Sequence, residues 1–313
     1  MTGAQLASPI SLTDLRGSPA RRRRERLIRS LFLGAAAVSL VISALIVLTL
    51  LGRALDFISR VDLADLISVG WLPRRGYFDI ATIFAGTLVI TAIGMVIATP
   101  LGLGAAIYLS EYASPRRRRV LKPIIELLAG IPSVVLGFYA IAFLAPTIVQ
   151  PLCGSNSIFS MGAAGLGVGI LITPLIASVA EDAMHAVPMS LREASYGLGA
   201  RKRSTSLRVV LPAAVSGIVA ALILGVSRGI GETMVVSIAA GAVGGSVFTV
   251  NPCLPGQTMT AAMTALATGS DQAQVGADLA VPSLFFVGLL LFAITLGLNL
   301  VSERFVRRVR KAY

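Results

Sequence analysis

The chain has 313 residues, 55% of them apolar and only 13% charged, with a mean hydropathy of +0.84. That balance excludes a water-soluble globule with a solvated surface and points to a polytopic membrane protein. The formal net charge of +12 raises nucleic acid as a partner, but the basic residues sit in clusters at the ends of apolar segments, which argues against a nucleic-acid face.

Residues 1–29 are polar and basic and read as a poorly ordered cytoplasmic tail. The remainder, 30–313, reads as one all-α domain of six transmembrane helices. Its apolar segments are Leu31–Gly52, Ile80–Leu109, Pro123–Val149, Gly162–Val187, Ala213–Gly241 and Val281–Val301. Each is long enough to cross a hydrocarbon core of about 30 Å at about 1.5 Å per residue. Backbone groups in lipid must pair internally, so the segments are helices. The first, at 22 residues, is too long for a signal h-region and lacks a small-x-small cleavage site after it, so it reads as a retained span. Within the long outer connection from Ala242 to Ala280, Thr258–Thr268 is mildly apolar, too short to span, and suited to a re-entrant or surface helix.

Orientation follows from Lys and Arg. With the N-terminus inside, the inner segments hold 22 of the 27 basic residues and the outer loops hold Arg53, Arg60, Arg74 and Arg75. Arg228 alone lies inside a span. That is a strong positive-inside bias, with both termini in the cytoplasm.

The inner loop at 188–212 carries Glu193-Ala194-Ser195, then Gly199, then Leu211-Pro212, with Val209 at the aliphatic position before them. This order and spacing fit the cytoplasmic coupling loop of ABC-type importer permeases, which receives the stroke of a separate ATPase subunit. Leu191–Leu198 reads as a short helix, and Gly199 permits a sharp reversal. Arg201, Lys202, Arg203 and Arg208 keep the next stretch in water, and Pro212 opens the following span, where a missing N–H does no harm. The ordinary alternative is a basic loop with no special task.

Local ATP binding is excluded, because a phosphate-cradling Gly-Lys-(Ser/Thr) is absent: Lys122, Lys202 and Lys311 follow Leu121, Arg201 and Arg310. No cofactor is expected in this chain; ATP and Mg belong to a partner ATPase. Gly162, Gly165, Gly167 and Gly169 open a span with no strand before them, so they read as close helix packing. A metal site is excluded by the lone His185 and by the separation of Cys153 from Cys253. Both cysteines fall in outer loops beside glycine and proline turns, where they either pair as a disulfide or stand as two free thiols. Glu111, Glu126, Glu181 and Asp182 can reach headgroups or arginines and read as structural. Pro100, Pro132, Pro146 and Pro174 read as ordinary helix kinks.

Arg228 and Glu232 are the informative polar residues. Four apart in the fifth span, they share one helix face, and about 22 Å of helix from Ala213 places Arg228 near the midplane. A charge there costs at least about 2.5 kcal/mol, so it faces protein or water. Two readings stand: an anion path, or an ion pair that only orients helices.

Longer stretches carry a resemblance. Gly86-Thr87-Leu88, Pro100-Leu101-Gly102, Ile107 to Tyr112, Leu128-Ala129-Gly130-Ile131-Pro132-Ser133, Ala180-Glu181-Asp182-Ala183, Arg192-Glu193-Ala194 and Arg228-Gly229-Ile230-Gly231-Glu232-Thr233-Met234 resemble the membrane permease of the phosphate-specific ABC importer. The similarity runs from Trp71 to the C-terminus with a core of about 71–303, and Trp71-x-Pro73 is nearer the C-type than the A-type of the two related permeases. Ser195 departs conservatively from Ala, and the two cysteines match nothing in the pattern. The resemblance implies a type I ABC importer fold in a bacterial inner membrane and phosphate import by alternating access. It also implies a sister permease, an ATPase pair and an extracytoplasmic phosphate-binding protein as partners, and links Arg228 and Glu232 to phosphate passage. The competing functions are a permease for another oxyanion (sulfate, molybdate or a phosphonate) and a secondary transporter that needs no ATP.

Overall fold

The structure is a computed structural model that describes residues 19–67, 70–241, 244–269 and 279–310. It divides after Gly52 into two units. The first is helical from Pro19, as the beginning of α1 (Pro19–Arg60). Residues 19–29, expected in an irregular tail, are thus helical; residues 1–18 of that tail lie outside the described ones.

In the second unit, β1 (Gly70–Leu72) lies between β2 (Tyr77–Phe78) and β3 (Ser246–Val247) in a small antiparallel sheet. Trp71 pairs with Phe78 on one side and with Ser246 on the other, and its side chain is buried. The sheet ties the connection before α2 to the segment at Ser246–Val247, far along the chain, which hydropathy alone does not reveal. Asp79 then caps α2 (Ile80–Ile107), accepting from the N–H of Ala81 at 3.0 Å and the hydroxyl of Thr82 at 2.6 Å. A π-helical turn, Tyr108–Tyr112, ends this span.

The third span begins later than expected. Pro123–Leu128 belongs to a separate helix, α3 (Pro115–Leu128), started by Ser114 as N-cap and Pro115 in the first turn. Its apolar residues Val120, Ile124 and Leu127 are exposed along one side, so it is amphipathic. Gly130 to Pro132 break the chain, and the spanning helix is α4 (Ser133–Cys153), whose middle, Ala140–Val149, is π-helical around Pro146. Glu126 accordingly sits on α3 and not one turn inside a span.

Ser160 caps α5 (Met161–His185), the most enclosed of the spans. Its glycines do what close packing requires. A Cβ on Gly165 would stand 2.7 Å from the Cβ of Ile93, so only a glycine lets α5 approach α2 this closely. Ile90, Val168, Ile172, Leu136 and Val235 fill the resulting core.

After α6 (Met189–Gly197), the fifth span is not one helix from Ala213 to Gly241. α7 (Lys202–Ala213) meets α8 (Val215–Ile230) at a bend of 71°. Pro212 therefore lies just before the bend and not at the start of the span. α8 stops at Ile230, and a short α9 (Met234–Ala239) follows the break. The expected short helix is present as α10 (Met259–Thr268), capped by Thr258 and mostly buried, which suits a re-entrant element and not a surface one. α11 (Ala280–Arg310) closes the chain and extends beyond Val301. The described residues hold five helices long and apolar enough to cross a membrane, and a sixth if the bent pair is one span. The protein is thus a multi-pass, all-α membrane protein.

Candidate functional site

Two groups of residues singled out in the sequence stand apart in the fold, one at the α6 turn and one at the break after α8. At the first, α6 is anchored by Arg192. Its guanidinium donates to the carbonyls of Val187 at 2.5 Å and Met184 at 2.9 Å, and to the Glu111 carboxylate at 2.9 Å. The Val187 carbonyl lies just beyond α5 and has no helical partner, while that of Met184, in the last turn, also accepts from the Val187 N–H at 3.2 Å. Glu111 comes from the π turn after α2. One side chain thus fastens α6 to the ends of two spans. The sequence marked Arg192 as an inner-loop cation and as part of the Arg192-Glu193-Ala194 stretch, but not its partner, which lies 81 residues away and to which no local periodicity points.

Glu193 and Ala194 are exposed on α6, while Ser195 is half-buried with its hydroxyl 2.9 Å from that of Thr205 on α7. The helix stops at Gly199, whose φ of +77° is the left-handed conformation that glycine enters without steric penalty. The N–H of Gly199 donates to the Tyr196 carbonyl and that of Ala200 to Ser195. Leu198 projects from the turn 90% exposed. Leu211 is half-buried and Pro212 exposed at the end of α7. The result is an unobstructed face, Glu193-Ala194 with Leu198, on a rigid base.

A charged cluster stands nearby. Glu181, almost fully buried on α5, accepts from Arg118 Nε at 2.8 Å and Lys122 Nζ at 2.6 Å, and Lys122 also pairs with Asp182. Arg118 further approaches Nε2 of His185 at 3.1 Å. Burial pulls the Lys122 ammonium down, but its bonds to Asp182 and Glu181 outweigh this and hold it above the usual lysine range. These pairs clamp α3 against α5.

The second group is at the break after α8. Arg228 lies in the last turn of α8, but Glu232 falls beyond its end, so the two do not share a continuous helix face. They still meet: Arg228 Nη2 is 3.8 Å from Glu232 Oε2, because the chain continues in a turn with the Glu232 N–H donating to Gly229. The two differ sharply in environment. The Glu232 side chain is 4% exposed and that of Arg228 54%. Arg228 is therefore not enclosed, and of the two expected surroundings, protein or water, it is open to the second; it forms part of the wall of a cavity of about 380 Å³ with Ala129, Leu171, Leu175, Leu224 and Ser227. One Glu232 oxygen accepts from the N–H of Val235 at 3.3 Å, capping α9, and the other faces Arg228. A guanidinium in a largely apolar cavity, partnered loosely by a carboxylate fixed behind it, is a site where an anion can compete for the cation.

Cys153, at the end of α4, and Cys253 are joined as a disulfide, with Cα atoms 5.6 Å apart. The neighbouring carbonyls of Pro252 and Leu254 accept from the first N–H groups of α5, Gly162 at 2.7 Å and Met161 at 3.0 Å. The bridge thus holds the loop that completes the start of α5.

Residues 98–311 match the family model for the binding-protein-dependent transport system inner membrane component. The chain is 31% identical to the phosphate transport system permease protein PstC of Mesorhizobium japonicum, over 88% of each chain. It is 33% identical to PstC 1 of Mycobacterium bovis, over 76% of this chain and 75% of that one. Among solved structures, a bacterial ABC transporter involved in import of the acidic polysaccharide alginate covers 90% of this chain and 99% of its own, with a TM-score of 0.61 at 16% identity. The MetNI methionine ABC transporter in an inward-facing conformation covers 76% of this chain and 96% of its own, with a TM-score of 0.51 at 22% identity. These last two speak for the fold alone. By its family model and its relatives, the chain belongs to the binding-protein-dependent transport system inner membrane components, the permeases of ABC importers.

Proposed function

We propose that this chain is the permease subunit through which an ATP-driven importer carries inorganic phosphate into the cytoplasm by alternating access. The observation that carries the proposal is Arg228 at the wall of a cavity, held 3.8 Å from Glu232 at the break of a membrane span. Phosphate cannot cross lipid unassisted, and a guanidinium offers both charge and a fork that fits two phosphate oxygens. Glu232 neutralises the cation between cycles and displaces the anion as it leaves. Binding at this point stays weak, since capture belongs to a separate extracytoplasmic phosphate-binding protein. A sister permease completes the pathway, and a pair of ATPase subunits docks at Glu193, Ala194, Ser195 and Gly199, with Leu211 and Pro212 carrying the motion into α8. Phosphate transport permeases among the relatives support this substrate.

The test is uptake of radiolabelled phosphate in cells lacking this chain, before and after its return, with labelled sulfate as control. Restored phosphate uptake without sulfate uptake is expected. Restored sulfate uptake alone would move the assignment to another oxyanion.

The reading requires the α6 turn to face the cytoplasm. Reporter fusions at Ser155 and Gly269 should read outside, and fusions at Ser204 and after Tyr313 inside. An external signal from Ser204 would overturn both the orientation and the docking of an ATPase there.

A further inference from the structure

Glu232 is held from behind by α10. The Thr260 hydroxyl donates to the Glu232 main-chain carbonyl at 2.7 Å, in a buried contact. A carbonyl can only accept, so the Thr260 proton is committed there. The Thr260 oxygen also lies 2.9 Å from the Thr258 oxygen, and in that contact Thr260 must therefore accept and Thr258 donate. Thr258 in turn accepts from the N–H of Ala261 as the N-cap of α10. The order is one-directional, from the start of α10 to the break that carries Glu232. The start of α10 is itself fixed to α2, where the Met259 N–H donates to the Thr87 hydroxyl at 3.0 Å.

The break has few other restraints. Gly231 flanks Glu232 on one side, and Thr233 on the other makes no side-chain cap for α9. The Glu232 main chain itself bonds only through its N–H to Gly229 and its carbonyl to Thr260, while one carboxylate oxygen accepts from the Val235 N–H and the Thr233 hydroxyl donates to the Gly231 carbonyl. With Oε1 on the Val235 N–H and Oε2 towards Arg228, the carboxylate's placement depends on where the main chain at Glu232 is held.

We propose that Thr260 is a positioning residue for the Arg228–Glu232 pair: by holding the Glu232 carbonyl it sets the carboxylate against Arg228. Movement of α10, which continues the outer segment containing β3, is thereby transmitted to the pair. The inference rests on the reading of that pair as the anion path.

The test compares Thr260→Val, which keeps shape and removes the donor, with Thr260→Ser, which keeps the donor, in the assembled transporter. Thr260→Ala serves beside Thr260→Ser if the valine does not assemble, because those two differ by one oxygen. The maximal rate of phosphate uptake should fall about tenfold in Thr260→Val or Thr260→Ala and recover in Thr260→Ser. Half-saturating phosphate should not change, since capture lies outside this chain. The comparison is repeated with Glu232→Gln. If Thr260 acts through the carboxylate, its loss should then cost less than about twofold further. An undiminished tenfold loss in the Glu232→Gln background would make Thr260 a packing residue and overturn the inference. Normal uptake in Thr260→Val beside impaired uptake in Glu232→Gln would overturn the inference and leave the anion path standing. Normal uptake in Glu232→Gln alone would remove the anion path and the inference with it.

Discussion

Replacing Arg228 by Gln should abolish phosphate uptake while the complex still assembles. The guanidinium side chain is about half exposed at a cavity wall, so its loss removes no core packing. What is lost is a charge-assisted contact to the anion, worth about 3 kcal/mol at the upper end, which corresponds to roughly 100-fold in a rate governed by that contact. Arg228→Lys should be impaired by about tenfold, since an ammonium keeps the charge and loses the fork. Uptake of labelled phosphate, normalised to purified complex, checks both. Full uptake by Arg228→Gln would remove the residue from the path.

Replacing Arg192 by Met should disconnect the ATPase. The Arg192–Glu111 pair is buried, with side chains 11% and 3% exposed. Removing one member of such a pair costs about 3–5 kcal/mol, because the other charge is left without a partner. Here the Val187 carbonyl loses its donor as well, and that of Met184 keeps only the Val187 N–H. The cost falls on the base of α6, not on the spans, whose apolar segments are unchanged. Insertion into the membrane should persist, while co-purification of the ATPase subunit and phosphate uptake should each fall at least about tenfold. Glu111→Gln, which leaves a neutral acceptor for Arg192, should be milder. Unchanged co-purification and uptake in Arg192→Met would show that α6 keeps its position without the anchor.

The spans were legible because lipid leaves a backbone no alternative to the helix, and a run such as Met161–His185 announces that by hydropathy alone. The boundaries were less so. Ile124 and Leu127 lie on the exposed face of α3 with Val120, and hydropathy joined those two to the span that begins at Ser133, although Gly130 to Pro132 mark the break. The division of the fifth span escaped for the opposite reason: Ala213 to Gly241 is apolar on average despite Arg228 and Glu232, and a window average cannot register a turn of three residues at Gly231 to Thr233. The turn at Gly199 was legible from one glycine, since a left-handed φ is a local property. Contacts that depend on distant partners were not. Arg192 with Glu111, 81 residues apart, and Thr260 with the Glu232 carbonyl, 28 apart, are set by the packing of separate elements, and neither residue type betrays its partner. Arg228 stood out as a cation in an apolar run, yet its exposure at a cavity wall follows from the fold and not from the run.

The central claim is that Arg228 and Glu232 act on phosphate and do more than neutralise each other. Uptake of labelled phosphate by the double variant Arg228→Gln, Glu232→Gln tests it most directly. An ion pair that only orients helices is relieved when both charges are removed together, whereas an anion path is left with no cation. Uptake at background in an assembled complex is the expected result. Recovery to near-normal uptake would contradict the account and leave Arg228 as a helix-packing residue.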